Sequence, residues 1–272
     1  MAVSVGTWTG YGQAATNAGT ISFPVSLNVP ASLTTAGRWL LVFALGLLSL
    51  SVLARAIAAE RPPVGNLWEF SVGLGWGIVL FTALFDRGFR EPAIGAVMLP
   101  LATGIMLVAL VFFPPELGPL VPALQANRIL GLHVTTMVLA YSAVSVSFGA
   151  AVLYLLQDGP AGRRFARLPA QDALDEVAYW SVLVGFPLLT LGIALGAYWA
   201  NAAWGRYWGW DPKETSAFLT WLVYAGYLHA RGLRGWEGKR AAWLLVVAFG
   251  AVLFTYFGVN FLVSGLHSYA GV

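Results

Sequence analysis

The chain is 272 residues long, 58% hydrophobic and only 10% charged, with a formal charge of +3 and no cysteine. Such a composition excludes a soluble domain with a hydrated surface, and basic residues confined to short segments between apolar runs argue against a nucleic-acid partner. Without cysteine there is no disulfide, thiolate ligand or thiol nucleophile, so any thiol chemistry must use a partner's sulfur.

Residues 1–37 are rich in Gly, Ser, Thr and Ala and lack the basic stretch of a cleaved signal peptide. They read as a weakly structured lead-in to a transmembrane domain over 38–272. A helix needs about 20 apolar residues to cross the hydrocarbon core. Runs punctuated by charge, Pro or Gly predict about seven such helices, an all-α polytopic bundle, near 38–58, 67–85, 92–113, 129–157, 177–200, 214–231 and 240–262. The second begins with Trp68, Glu69 and Phe70, a carboxylate at the apolar boundary, and is expected to be partly interfacial. No internal repeat of about 20–50 residues is visible.

Lys and Arg gather in alternate connections: Arg87 and Arg90, then Arg163, Arg164 and Arg167, then Arg231, Arg234, Lys239 and Arg240. That side is predicted to be cytoplasmic. The external surface then carries the connection from Pro114 to Asn127, the segment Trp199 to Pro212 and the tail after about Leu262. Arg55 and Arg61 fall on this external side, against the trend.

Only three histidines occur. His133 and His267 are expected at external helix ends, and His229 near the cytoplasmic end of its helix. Neutral imidazole donates a nitrogen lone pair, so two on opposite faces of a porphyrin can ligate its iron axially. His133 and His267, sharing a side, are candidates for that pair; the plainer alternative is an interfacial histidine bonded to water or backbone. Between their helices runs Trp199-Ala-Asn-Ala-Ala-Trp204-Gly-Arg206-Tyr207-Trp208-Gly-Trp210-Asp211-Pro-Lys213-Glu214, with four tryptophans in twelve residues, denser than an aromatic belt. Indole and phenol rings offer flat faces for stacking on a porphyrin, and Arg206 and Lys213 are candidates to meet its propionates. Asp211-Pro-Lys-Glu also reads as a helix start, with Asp at the cap, Pro first and Glu in the first turn, and capping alone would account for Asp211.

The run Trp204-Gly-Arg-Tyr-Trp-Gly-Trp-Asp211-Pro-Lys-Glu-Thr215 resembles the tryptophan-rich WWD signature of the haem-handling proteins CcsA (ResC), CcmC and CcmF. The ending Gly258-Val-Asn-Phe-Leu-Val-Ser-Gly-Leu-His267-Ser-Tyr269 is similar to the CcsA tail, and Pro63-Val-Gly-Asn66-Leu-Trp-Glu69-Phe resembles that family's early Asn-Leu-Tyr-Glu segment, with Trp68 in place of Tyr. The resemblance covers about residues 62–272. It implies haem b as ligand and substrate, His133 and His267 as the external axial pair, a cradle from Trp204 to Asp211, and an inner, membrane-level haem iron at His229. The second inner ligand would come from a partner membrane protein of the CcsB (ResB) type. Independently, about fifteen helical residues separate His229 from Glu214, a rise of roughly 22 Å, so one haem cannot touch both places.

The function implied is that of a system II cytochrome c synthase subunit in a bacterial plasma membrane or its thylakoid equivalent. It would carry haem to the external face and hold it for thioether attachment to a Cys-x-x-Cys-His apocytochrome c. A thiol-reducing protein is a further candidate partner. No residue is an evident acid–base catalyst, so the expected contribution is positioning of a reduced, oriented haem. Two alternatives stand beside it. One is a CcmC-like exporter that passes haem to a chaperone without attaching it; the other is a respiratory haem b or quinone subunit, which would be expected to face histidine pairs within the bilayer.

Overall fold

Backbone polar groups find no water in a bilayer core, so apolar runs must satisfy them internally as helices. A computed structural model describes residues 31–118, 120, 124–125, 128–158, 164–165 and 168–267. Helix α1 is Ala31–Ala59 and α2 Leu67–Phe89; a 3-10 turn at Pro92–Ile94 leads into α3, Gly95–Phe112. Next come α4, Arg128–Leu156, α5, Gln171–Trp204, and α6, Pro212–Arg234. Helix α7, Lys239–Leu253, continues through a π turn at Phe254–Gly258 into the short α8, Val259–Leu262. The protein is an all-α polytopic membrane bundle.

Among the described residues, six stretches are long and apolar enough to cross a membrane: Thr35–Ala59, Leu67–Phe89, Pro92–Phe112, Arg128–Leu156, Gln171–Trp204 and Lys239–Leu262. Helix α6 departs from the expected seven apolar runs. Its 23 residues give about 34 Å of rise, enough to span, but Lys213, Glu214, Thr215, Ser216, Thr220, His229 and Arg231 make it too polar by composition. Its polar atoms are met by neighbouring helices. Arg231 pairs with Asp175 at the start of α5, the Trp221 indole donates to Thr190, Thr220 bonds Thr255, and Lys213 donates to Asn260. These contacts set α6 antiparallel to both α5 and α7, along the height of the bundle.

Other boundaries shift for local reasons. Helix α1 starts at Ala31, so residues 31–37 belong to it rather than to a lead-in, while residues 1–30 lie outside the described residues. Helix α5 begins at Gln171, because its polar first turns extend the helix beyond the apolar run expected from 177. Helix α2 is continuous from Leu67, with Glu69 in its first turn: the Asn66 side chain caps it by accepting the Glu69 N–H at 2.8 Å.

The side chain of Glu69 is fully buried and accepts from Arg55 Nε at 2.9 Å, Arg61 Nη1 at 2.8 Å and the Gly65 N–H at 2.6 Å. Arg55 and Arg61, the exceptions in the charge pattern, thus share one internal carboxylate instead of standing free in a connection. At the other end of the same helix pair Arg38 meets Asp86, and Trp76 donates to Ser49 between them. These clips add to the partial packing of Leu41, Leu45 and Leu48 in holding α1, no residue of whose apolar span is fully buried.

The core centres on α4, where nearly every residue from Ala140 to Ala151 is buried. Glycines on α5 let it come close. A Cβ at Gly185 would lie 2.5 Å from Val144 Cγ1, and one at Gly192 would lie 2.5 Å from Met137 Sδ, the small-residue packing that lets membrane helices approach in the absence of a hydrophobic drive.

Candidate functional site

Close approach of α4 and α5 has a chemical product. His133, near the start of α4, brings Nδ1 to 2.7 Å from the Gly192 carbonyl oxygen. A carbonyl only accepts, so Nδ1 carries the hydrogen, and the neutral ring keeps its lone pair at Nε2. Gly196, one turn on, is the floor beneath the ring, where an added Cβ would lie 2.6 Å from His133 Cε1 and 2.8 Å from Nδ1.

His267 is fixed by the same logic from another direction. Its Nδ1 lies 2.6 Å from Asp211 Oδ2, and since a carboxylate only accepts, Nδ1–H donates and the lone pair again falls on Nε2. Asp211, 5% exposed, also accepts the Lys213 N–H through Oδ2 and the Leu266 N–H through Oδ1. Glu214 returns the bond by accepting the N–H groups of Asp211 and Gly209, completing a capping box at the start of α6. Asp211 therefore both caps α6 and orients His267. Burial pushes its carboxyl up, but the His267 imidazole and the amides of Lys213 and Leu266 outweigh that and hold it below its ordinary range. Gly265 permits the contact, since a Cβ there would sit 2.5 Å from Asp211 Oδ1.

Both imidazoles line one cavity, together with Phe70 of α2, Tyr141 of α4, Trp199 of α5, Trp208, Lys213 and Glu214, and Thr255 and Tyr256 of the π turn. Trp199 is a neighbour of both rings: parallel to His133 within 5° at 6.3 Å, and 5.8 Å from His267. The two imidazoles are therefore no farther apart than the sum of those distances. Trp204 meets Trp199 and His267 edge-on at 4.7 and 4.9 Å. The tryptophan segment divides its rings between two directions. Trp199, Trp204 and Trp208 turn toward the histidines, whereas Tyr207 and Trp210 are 57% and 68% exposed. Trp210 adopts a left-handed backbone, φ 56°, which swings the chain from the loop into the Asp211 cap.

Arg206 lies exposed, its guanidinium against Gly209, and does not line the cavity, whereas Lys213 does and donates to Asn260 Oδ1 at 3.0 Å. His229 is not brought to the cavity. It lies far along the unbroken α6, on an exposed stripe with Leu219, Leu222, Gly226 and Leu233. Arg163, Arg167 and Tyr269 fall outside the described residues. Sequence reading missed Gly192 and Gly196 as the seat of His133, and Thr255 and Tyr256 as cavity wall. The spacing of Gly185, Gly192 and Gly196 on one helical face was the available signal for the first pair. A π turn has no comparable sequence signature.

The family described as Cytochrome C assembly protein matches residues 64–267. The cytochrome c biogenesis protein CcsA of Synechococcus sp. strain JA-3-3Ab is 38% identical over 275 residues, covering 79% of this chain and 80% of that one. CcsA of Synechococcus elongatus is 37% identical over 300 residues, covering 92% and 90%, and CcsA of Guillardia theta is 39% identical over 230 residues, covering 76% of each. The matched residues 64–267 contain the Asn66–Glu69 cap, the Trp204–Asp211 segment and all three histidines. The chain belongs to the CcsA-type cytochrome c biogenesis proteins of the cytochrome c assembly family.

Proposed function

We propose that this chain is the membrane subunit of a cytochrome c synthase that carries haem b to the external face and holds it there for attachment to apocytochrome c. The observation that carries the reading is the pair His133 and His267: both line one cavity, and each has its Nδ1 tied to an acceptor so that Nε2 holds the lone pair. Metal-ligating histidines are oriented by this kind of bond. Two imidazoles with their lone pairs at Nε2 suit an iron whose other four positions are filled by a porphyrin.

In this reading the connections rich in Lys and Arg are cytoplasmic and the cavity end external. Haem passes first through an inner site at His229, whose exposed position on α6 suits a second ligand supplied by a CcsB (ResB)-like partner. It then docks between His133 and His267, with Trp199, Trp204 and Trp208 against the disc, Tyr207 and Trp210 at the outer rim, and Asp211 fixing His267. The apocytochrome's two thiols add across the vinyl groups, each sulfur bonding one vinyl carbon while its hydrogen goes to the other, so no net oxidation occurs. The apocytochrome histidine then displaces one imidazole. The chain's contribution is to orient the haem, exclude water from one face and present the vinyl edge.

The test is expression of the full chain with its CcsB-like partner and a Cys-x-x-Cys-His apocytochrome, assaying thioether-linked haem. His133→Ala and His267→Ala should each abolish it, and added imidazole should partly restore it. Unaltered maturation in either variant contradicts axial ligation. Haem delivered externally but never attached, with the partner present, would instead identify a CcmC-like exporter.

A further inference from the structure

Beside the histidine cavity, across a wall made by Leu124 and Leu130, lies a second one lined by those leucines with Arg61, Gly65, Arg128 and Gly131. Its charge is unbalanced. Arg55 and Arg61 share the single carboxylate of Glu69, which leaves one positive charge uncompensated within that cluster. Arg128, exposed at the start of α4, has no ion-pair partner among the described residues and adds a second. The other cations near the site are committed or turned away: Lys213 donates to Asn260 beside Asp211, and Arg206 packs on Gly209 outside the cavity.

We propose that Arg128, with Arg61 behind it, is the carboxylate-binding end of the site and receives the propionates of a porphyrin held between His133 and His267. The proposal rests on the axial reading above and adds an orientation to it. Protoporphyrin carries its two propionates on adjacent pyrroles and its two vinyls on the pair across the ring. Anchoring the anionic edge between the starts of α2 and α4 turns the vinyl edge toward Trp208 and the loop, where an incoming thiol has access. A guanidinium suits this task because its planar donors meet a carboxylate bidentately. Leu124 and Leu130, each only 5% exposed, lie between the two cavities as the apolar seam over which the disc's edge would pass.

The experiment titrates the detergent-purified full chain with haem b and, separately, with its dimethyl ester, which keeps the iron and the ring but loses both carboxylates. Without the partner's inner ligand, the low-spin bis-imidazole spectrum reports the outer site alone. The wild-type chain should bind the diacid at least about tenfold more tightly than the diester, the scale of one charge-assisted bond. Arg128→Gln should bring the two affinities together by weakening the diacid alone, and Arg128→Lys should keep most of the preference. An unchanged preference in Arg128→Gln, or equal weakening of both porphyrins, overturns the propionate role while leaving axial ligation standing. A wild-type chain that gives no low-spin spectrum with either porphyrin overturns both.

Discussion

Replacing Asp211 separates its two roles. Three donors converge on this carboxylate: the Lys213 N–H and His267 Nδ1–H on Oδ2, and the Leu266 N–H on Oδ1. In Asp211→Asn one of those oxygens becomes an amide nitrogen that faces a donor. The better orientation keeps the oxygen toward Lys213 and His267 and loses the Leu266 bond; the other loses two. At about 1.5–3 kcal/mol for each bond to a charged group, the cost starts near that value and doubles if the amide turns. Asn still caps a helix well, so α6 should form. Loss of an orienting partner behind a metal-ligating histidine typically costs about 10–100-fold in metal affinity.

Asp211→Ser sharpens the comparison, because serine caps about as well as aspartate but is too short to hold Lys213, Leu266 and His267 together. Haem per protein, read from the reduced bis-imidazole spectrum of purified full-length chain, should fall most in Asp211→Ser and less in Asp211→Asn, which keeps an acceptor for His267, while protein yield stays near wild type. If Asp211→Ser retains wild-type haem content and spectrum, Asp211 is a helix cap and nothing more, and the orientation of His267 must come from elsewhere.

Gly196→Ala places a methyl 2.6 Å from His133 Cε1, closer than side chains approach one another, so the ring must shift and the bond to Gly192 with it; maturation should fall by about a hundredfold, the scale of a misplacement near 1 Å. Gly104→Ala on α3, where the added Cβ meets nothing within 4 Å, should leave maturation at wild-type level; equal activity of the two variants would refute the seating of His133. Glu69→Gln strands two guanidiniums beside a half-satisfied amide and should destabilise the α1–α2 clip by about 3–5 kcal/mol, measured as loss of monodisperse protein on heating in detergent. A Glu69→Gln chain as heat-resistant as wild type would mean that the buried carboxylate does not hold α1.

The helical bundle was legible because a bilayer leaves hydropathy few alternatives, and the shared side of His133 and His267 followed from counting alternate connections. What escaped were relations between distant segments. Nothing local marks the Gly192 carbonyl as the partner of a histidine 59 residues earlier, nor Glu69 as the shared counter-ion of Arg55 and Arg61, which reading by loop charge alone leaves as an anomaly. Asp211 shows the limit most plainly. Asp-Pro-Lys-Glu announces a cap, and the cap is there, but the carboxylate's remaining lone pairs are taken by a tail more than fifty residues away.

Helix α6 connects these observations. Its polarity is a poor fit to lipid, yet its start carries the Asp211–Glu214 cap and Lys213 at the cavity, its middle bonds Thr190 and Thr255, and its far end pairs Arg231 with Asp175. Neighbouring helices supply the partners that lipid cannot. The stripe through Leu219, Leu222, Gly226 and His229 is the part of α6 they leave uncovered. In the function proposed above, a helix whose polar face is satisfied by its own bundle while its histidine faces outward would join the cavity built within this chain to an inner site completed by a partner.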